Sequence, residues 1–437
     1  MKILFSIRNW NRVFLYLLFI CSTFSIAGTD ASIVMLYFIT LIRWIRNRPL
    51  TQIDNPFLWV TLFFIFTTVI SGLFNTYETD HLMALRSNWR LLLPLLLAVI
   101  LSEINTEKLL WTFFGFVFLI SVYGIIQYFT GADWLRPAGD QFTTPYLFGS
   151  SDGNNVFHAK GNFSHHLTYG GFLVISFPLL VSLTFCKDWY PFTRILTALI
   201  AILVLLGIGA SLGRSIWLGT AVTILILIFR IYPKIVLAIS IALILSATFL
   251  FAQLGNTTIQ KQVHTNQLEA LKHRFISGFM LKSNQDRILM WKSGITAIKD
   301  HFWLGIGYNN DAVVIPEYRK RISKITGHRF HNKASTGVHN IYIQTWLNYG
   351  FIGMLGYLGI LIIFFLQITK GILESNNFTF ENSIFWAGIS GVCGFMVAGL
   401  FENNFRDGEV QAMLMILMGL CFNQTQKLKG RIFRHSK

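Results

Sequence analysis

The chain has 437 residues, of which 53% are hydrophobic and 13% are charged, and its net charge is +16. A soluble protein carries about 25% charged residues, so this composition excludes a soluble globular domain and predicts an all-α polytopic membrane protein. Much of the positive charge lies in short loops between apolar segments, which fits a cytoplasmic-loop bias or an anionic ligand, and no nucleic-acid partner is expected.

The apolar runs predict about twelve transmembrane helices, because about 20 apolar residues cross the ~30 Å hydrocarbon layer. The spans, in chain order, are approximately 11–28, 31–46, 56–74, 90–104, 109–129, 167–186, 194–213, 215–232, 234–254, 341–368, 383–401 and 409–424. Lys2, Arg8 and Arg12 make residues 1–28 similar to a signal peptide. Since many spans follow, we interpret this segment as an uncleaved first helix.

The basic residues predict the orientation of these spans. With the N-terminus in the cytoplasm, the inner loops and the tail hold 17 of the 36 Lys and Arg residues, whereas the short outer links hold few, among them Arg214 and Arg406. Short loops rich in Lys and Arg stay on the cytoplasmic side. Both termini are therefore expected in the cytoplasm.

The spans divide the chain into four parts. Residues 1–254 hold nine helices and an outer loop over 130–166, residues 255–340 form a large outer loop between the ninth and tenth helices, residues 341–425 hold the last three helices, and residues 426–437 form a basic tail. A loop as long as 255–340 is uncommon without a function.

The large loop is basic and predicted to be partly helical. It contains 13 basic and five acidic residues. Ile288, Trp291, Ile295 and Ile298 recur at spacings of three and four, which predicts a helix. Gly305 and Gly307, the glycines of "HFWLGIGYNND", lie beyond its predicted end.

Polar residues gather at one predicted membrane face. No charged residue lies clearly in the middle of a span, where an ion pathway would place one. Five polar stretches instead fall on the outer side: "NFSHHLTYGG" (162–171), "ASLGRSIW" (210–217), "NQDRILMW" (284–291), "GVHNIYIQ" (337–344) and "FENNFRDGEV" (401–410). Their convergence predicts a site at the outer surface.

Two arginines of these stretches have open interpretations. Arg214 either anchors a helix end at the interface or binds an anionic lipid headgroup, because guanidinium matches phosphate oxygens bidentately. Arg287, one helical turn before Trp291, is either a surface residue or a second phosphate ligand. Two arginines together suit a pyrophosphate leaving group, on which charge develops as the glycosidic bond breaks.

His339 directly precedes Asn340 and a predicted helix. A histidine at a helix entry is often structural, but its ordinary pKa of about 6.5 also suits a general base near neutral pH. His165 and His166 are candidate substrate ligands and a poor metal signal. Glu402, Asp407 and Glu409 flank a tight turn, and each either caps it, holds an arginine or orients the histidine.

No Asp-x-Asp motif and no evident carboxylate cage for Mg²⁺ or Mn²⁺ occurs in the sequence. We therefore expect no metal and no cofactor.

Two longer stretches carry a family resemblance: "RILMWKSGITAIKDHFWLGIGYNN", which begins at Arg287, and "VHNIYIQTWLNYGFIGMLGYLG", which begins at Val338. An Arg before a Trp, a glycine-containing turn and a His-Asn-x-Tyr helix entry resemble the O-antigen ligase family. Its superfamily also includes O-antigen polymerases and protein O-oligosaccharyltransferases. "GRSIWLG" and "FENNFRDGEV" are similar to further motifs, whereas the proline of the family's turn is replaced here.

The resemblance implies transfer of a glycan from undecaprenyl pyrophosphate to a sugar hydroxyl of lipid A–core, a step of lipopolysaccharide biosynthesis. It implies a multi-pass protein of the bacterial inner membrane with a periplasmic site, and a metal-independent, inverting reaction. By motif, Arg214 and Arg287 would engage the pyrophosphate and His339 would be the general base. The further expected substrate ligands are Asn340, Tyr342, Trp291, His165, His166 and Glu402.

Three other functions remain open. An O-antigen polymerase would use similar groups, but polymerases often lack the His-Asn-x-Tyr match. A protein O-oligosaccharyltransferase often carries a soluble C-terminal part, whereas this sequence has a short tail. A lipid-linked sugar flippase would need polar residues along a path across the membrane, and here the polar stretches fall on one face.

Overall fold

The structure is a computed structural model and describes residues 7–47, 55–74, 83–135, 157–234, 281–327, 330 and 337–435. Its elements are helices: α1 (Ile7–Cys21), α2 (Ile26–Asn47), α3 (Pro56–Phe74), α4 (Met83–Asn88), α5 (Leu93–Ile100), α6 (Thr106–Thr130), α7 (His166–Thr184), α8 (Pro191–Ala210), α9 (Arg214–Ile231), α10 (Leu281–Asp300), α11 (Asp311–Thr326), α12 (Ile341–Glu374), α13 (Phe380–Ala398) and α14 (Gly408–His435), with short 3₁₀ turns.

The described elements confirm an all-helical membrane protein. Seven of the described helices, α2, α3, α6, α7, α8, α9 and α12, are long and apolar enough to cross a membrane. The count of twelve spans and the orientation stay predictions. Residues 235–254, which are nearly all of the predicted ninth span, lie outside the described residues, as do residues 136–156 and 255–280 of the two outer loops.

The predicted span 90–104 belongs to a longer helical run that includes α4 and α5. Two 3₁₀ turns, Trp89–Leu92 and Leu101–Glu103, flank α5. Pro94 lies in the first turn of α5, where its missing N–H breaks no helical hydrogen bond.

The predicted span 341–368 is not a straight helix, because α12 kinks at Gly350, where φ is 71° and ψ is −176°. The loop after α10 closes against this kink through backbone hydrogen bonds. The N–H of Phe351 donates to the carbonyl of Phe302 at 2.8 Å, and the N–H of Gly307 donates to the carbonyl of Asn348 at 2.9 Å. At about 1.5 Å per residue, α12 is also longer than the hydrocarbon layer is thick. The segment 341–349 is therefore a separate short helix above the kink.

Gly350→Ala is expected to destabilise the fold. A Cβ at this position would overlap the carbonyl oxygen of Trp303, and the backbone conformation is one that only glycine adopts without strain of about 1–3 kcal/mol. We expect a lower melting temperature for the purified variant in a thermal unfolding assay. Gly115→Ala is the matched control, because a Cβ there meets no atom within 4 Å; equal melting temperatures for both variants would contradict this account.

Helix α14 lies in the centre of the bundle, against α5, α7 and α13. Its side chains from Val410 to Gln424 are buried, including the polar Gln411, Asn423 and Gln424. Asn423 donates to the carbonyl of Ala98 at 2.9 Å. A helix enclosed by protein can carry such amides, because protein partners satisfy them.

Candidate active site

The turn between α13 and α14, residues 399–407, is the centre of the site. Three of the other predicted polar stretches contact it: 162–171 and 337–344 through the bonds given next, and 284–291 through Arg287. Asn404 Nδ2 donates to the carbonyl of Leu167 at 3.3 Å, Thr168 Oγ1 donates to Asp407 Oδ2 at 2.7 Å, and Asn340 Nδ2 donates to the carbonyl of Leu400 at 2.9 Å.

Arg214 lies at the same end of the bundle, as the first residue of α9, and is half-buried. The preceding Gly213 lies against Leu167 at the start of α7, because a Cβ there would be 3.0 Å from the Leu167 side chain. The prediction that the five polar stretches meet is therefore confirmed. The side of the membrane that they face stays a prediction.

Glu402 joins two of the predicted catalytic residues. Its side chain is 3% exposed, and one carboxylate oxygen, Oε1, accepts a hydrogen bond from Arg287 Nη2. The other oxygen, Oε2, lies 3.2 Å from His339 Nδ1. Burial raises the pKa of Glu402, but the hydrogen bond with His339 and the charge of Arg287 more than offset this effect. The pKa therefore lies below its ordinary value, and Glu402 is an anion at neutral pH.

This contact selects one tautomer of His339. An ionised carboxylate only accepts hydrogen bonds, so Nδ1 carries the proton and donates it to Glu402. In the neutral ring the lone pair then lies on Nε2. A histidine oriented in this way by a carboxylate has the arrangement required of a general base.

The backbone around His339 is held on both sides. His339 has a left-handed φ of 50°. The Asn340 side chain then caps α12 by accepting from the N–H groups of Tyr342 and Ile343, and the N–H of Ile341 donates to the carbonyl of Gly399 at 2.8 Å. These bonds join the start of α12 to the end of α13 and set the position of the imidazole above the turn.

Helix α10 supplies both Arg287 and Trp291 from one face, as the spacing predicted. Trp291 Nε1 donates to the carbonyl of His339 at 3.4 Å, and Arg287 contacts Glu402. The predicted loop helix is thus confirmed, and it closes over the turn that holds the histidine.

His165 and His166 start α7. His165 Nδ1 accepts from the N–H of Leu167 at 3.2 Å as a helix cap, and the rings of His165 and His166 lie 4.2 Å apart. Burial lowers the pKa of His165, while the charge of Glu402 opposes this effect. His165 is therefore neutral at pH 7 and lies within electrostatic reach of Glu402.

Three of the predicted substrate ligands have structural partners. Tyr342 Oη donates to the carbonyl of Met396 at 3.0 Å, Asn340 caps α12, and Glu402 is enclosed between Arg287 and His339. These contacts assign them a positioning role, and direct substrate contacts of these residues stay predictions.

The sequence interpretation missed a second ion pair at this turn. Arg406 Nη1 lies 3.3 Å from Asp311 Oδ2 at the start of α11, and its guanidinium lies 5.1 Å from the centre of the Tyr308 ring. Burial lowers the pKa of Arg406, but Asp311 and Tyr308 raise it by more than burial lowers it. The pKa of Arg406 therefore exceeds its ordinary value. The pair joins the turn to the large loop across 95 residues of sequence, a separation at which no local pattern signals pairing.

Asp407 makes stability depend on pH. Burial raises its pKa to about 6, against the hydrogen bond from Thr168, and Glu409 and Glu402 raise it further. The native state thus binds a proton more tightly than an unfolded chain, whose Asp titrates near pH 3.9. The contribution of Asp407 to the unfolding free energy therefore falls as pH rises from about 4 to 6.

Asp407→Asn is expected to remove that part of the pH dependence and to stabilise the protein at pH 7 by about 1–2 kcal/mol, after allowance for solvent screening. Melting temperatures of both proteins between pH 4 and 8 measure this effect. Parallel curves for wild type and variant would contradict the assignment. Glu402 has the opposite effect on stability, and it does so at lower pH. Its contribution to the unfolding free energy is lost as pH falls through its lowered pKa.

Comparison with known proteins supports the family resemblance that the sequence motifs indicated. Residues 198–358 match the family model described as O-antigen ligase. The matched segment contains Arg214, Arg287 and His339, whereas Glu402 lies beyond it. No curated protein matches the chain. The family resemblance predicted from the sequence is confirmed over the matched residues.

Proposed function

We propose that this protein, whose residues 198–358 match the O-antigen ligase family model, transfers a glycan from undecaprenyl pyrophosphate to a sugar hydroxyl of lipid A–core, at the periplasmic face of the bacterial inner membrane. The observation that carries this proposal is the Arg287–Glu402–His339 chain of contacts. It combines a charged guanidinium with an oriented imidazole at the ends of apolar helices, where two amphiphilic substrates meet.

The reaction needs a base on the acceptor side. His339 Nε2 takes the proton of the acceptor hydroxyl as that oxygen attacks the anomeric carbon. The new carbon–oxygen bond forms while the bond to the pyrophosphate oxygen breaks, so the configuration inverts. Glu402, which is ionised and buried, stabilises the imidazolium that results, in the way a buried carboxylate stabilises other catalytic histidines.

The leaving group needs positive charge. Arg287 contacts Glu402 through Nη2. A guanidinium has five N–H donors, so this contact leaves four N–H donors for phosphate oxygens. Arg214, at the N-terminus of α9, lies where the helix dipole also favours an anion. Together they stabilise charge that develops on the pyrophosphate, an effect that is strong in a site shielded from water.

Arg287→Lys is expected to lose most of the activity that Arg287→Ala loses. Lysine keeps the charge but not the planar fork, which must hold a carboxylate and a phosphate at the same time. We expect both variants to fall about 100-fold in kcat/KM, in the range seen when one donor to a developing charge is removed. Full activity of the lysine variant would mean that Arg287 acts only as a point charge.

A reconstitution tests the function itself. The purified protein is placed in liposomes with an undecaprenyl-pyrophosphate glycan and offered lipid A–core, an acceptor peptide, or the donor alone, each with and without chelator. With lipid A–core as the acceptor, we expect glycosylated lipid A–core and released undecaprenyl pyrophosphate both with and without chelator. A longer glycan on the lipid carrier would identify a polymerase, and a modified Ser or Thr would identify a protein O-oligosaccharyltransferase.

A further inference from the structure

His165 caps α7, and this cap determines which of its ring nitrogens carries the proton. Nδ1 accepts a hydrogen bond from the N–H of Leu167 at 3.2 Å. A backbone N–H only donates, so Nδ1 holds the lone pair, and in the neutral ring Nε2 holds the proton. Among the described residues, the His165 side chain makes no other hydrogen bond. Its Nε2 therefore presents an N–H donor, whereas Nε2 of His339 presents a lone pair.

The His165 ring lies near the proposed general base. The hydrogen bond from Thr168 to Asp407 holds the start of α7 against the turn between α13 and α14. Glu402 and His339 are both within electrostatic reach of the His165 ring. The protein surrounds His165 on most sides, but part of its side chain is open to solvent, so a substrate can reach it.

A row of three histidine rings connects His165 with the loop that precedes Arg214. The ring centres of His165 and His166 lie 4.2 Å apart, and those of His166 and His158 lie 4.3 Å apart. His158 Nδ1 then donates to the carbonyl of Ser211 at 3.2 Å, in the loop between α8 and α9. The row thus connects the surroundings of the general base with those of Arg214.

The charges around His165 keep its ring neutral. Burial lowers the pKa of His165, and His339 and Lys160 lower it further, against the charge of Glu402. A neutral imidazole keeps its Nε2 proton at pH 7. His165 therefore donates a hydrogen bond and transfers no proton.

Of the two reacting oxygens, only the leaving one gains from such a donor. The attacking hydroxyl oxygen would be a weaker nucleophile if it accepted an N–H bond. The pyrophosphate oxygen instead gains negative charge as the glycosidic bond breaks, and a donor that is already in position stabilises that charge. Hydrogen bonds to a charged oxygen are also stronger than those to a neutral one.

We propose that His165 donates a hydrogen bond from Nε2 to an oxygen of the leaving pyrophosphate, as a third donor beside Arg214 and Arg287. This inference rests on the proposed function, because the pyrophosphate is part of its donor substrate. Helix capping uses Nδ1 alone, so substitution can separate the cap from the donor.

Asparagine and glutamine separate the two roles. Asparagine is a preferred helix cap but has no group at the position of Nε2, whereas glutamine brings an amide N–H near that position and caps poorly. His165→Asn should therefore keep the wild-type melting temperature and bind inorganic pyrophosphate about 10–100-fold more weakly. His165→Gln should melt earlier and retain most of the affinity. Calorimetric titration of the purified full-length protein with inorganic pyrophosphate measures the binding.

Thr379→Asn is the matched control for the change of cap. Thr379 caps α13 with its side chain, at the opposite end of that helix from the turn. Its variant should keep both the melting temperature and the pyrophosphate affinity of the wild type. Wild-type affinity in His165→Asn would show that the histidine is only a helix cap and would overturn the proposal, as would absence of pyrophosphate binding by the wild type.

Transfer kinetics in the reconstituted system test the role in the reaction. A donor that acts on the developing charge lowers kcat as well as kcat/KM. We expect kcat of His165→Asn to fall about 10–100-fold, with an unchanged KM for lipid A–core. An unchanged kcat would contradict the assignment. If the wild type transfers no glycan, the proposed function fails, while the titrations still decide whether His165 binds the pyrophosphate.

Discussion

His339→Ala is expected to abolish glycan transfer and to leave the protein folded and inserted in the membrane. A general base contributes a factor of about 10²–10⁴, and alanine at this position leaves the acceptor hydroxyl without a proton acceptor. In cells, glycan should accumulate on its lipid carrier, and lipid A–core should remain unmodified. Gel analysis of lipopolysaccharide and mass spectrometry of the lipid carrier measure both effects.

The control for this variant is His301→Ala. Arg287 lies near the start of α10, whereas His301 directly follows its end, 14 residues further along the chain, and is not part of the proposed site. The His301→Ala protein should transfer glycan as the wild type does. Normal ligation by His339→Ala would remove the histidine from the mechanism.

Glu402→Gln is expected to reduce both activity and stability. The amide keeps the shape of the side chain but loses the charge that holds Arg287 and orients His339. Removing one partner of a buried ion pair destabilises by about 3–5 kcal/mol, and we expect about half of that because the Arg287 side chain is 27% exposed. Activity should fall about 100-fold or more, since the imidazolium loses its counterion.

Glu374→Gln provides the comparison for charge removal alone. Glu374 pairs with Lys370 across one helical turn on an exposed surface at 3.7 Å, where such a pair contributes little. Its variant should retain both the melting temperature and the activity of the wild type. A Glu402→Gln protein with wild-type turnover would show that the carboxylate has no role in orienting the base.

The sequence predicted the components of the site better than their connections. Arg214, Arg287 and His339 stand in recognisable local motifs, and the helical spacing of Arg287 and Trp291 was sufficient to place both on one face. The sequence left three roles open for Glu402, and spacing could not choose among them, because its partners are 115 and 63 residues away. Glu402 lies in a short acidic turn, where helix capping explains a carboxylate equally well.

Two features of the fold were also beyond sequence reasoning. The kink at Gly350 arises because a distant backbone segment, 302–307, forms hydrogen bonds with it, and glycines are common in membrane helices for other reasons. Helix α14 is enclosed by other helices, and its polarity reflects that enclosure. An apolar pattern indicates that a helix avoids water, but it does not distinguish lipid from protein as the surrounding medium.

A double-mutant cycle tests the central claim, that Glu402 acts on transfer through His339. Initial rates of glycan transfer to lipid A–core are measured in liposomes for wild type, His339→Ala, Glu402→Gln and the double variant. Residues that act as one unit are strongly non-additive, so we predict that the double variant is no slower than His339→Ala alone. A double variant slower by the product of the two single effects would contradict the account, because the two residues would then act independently.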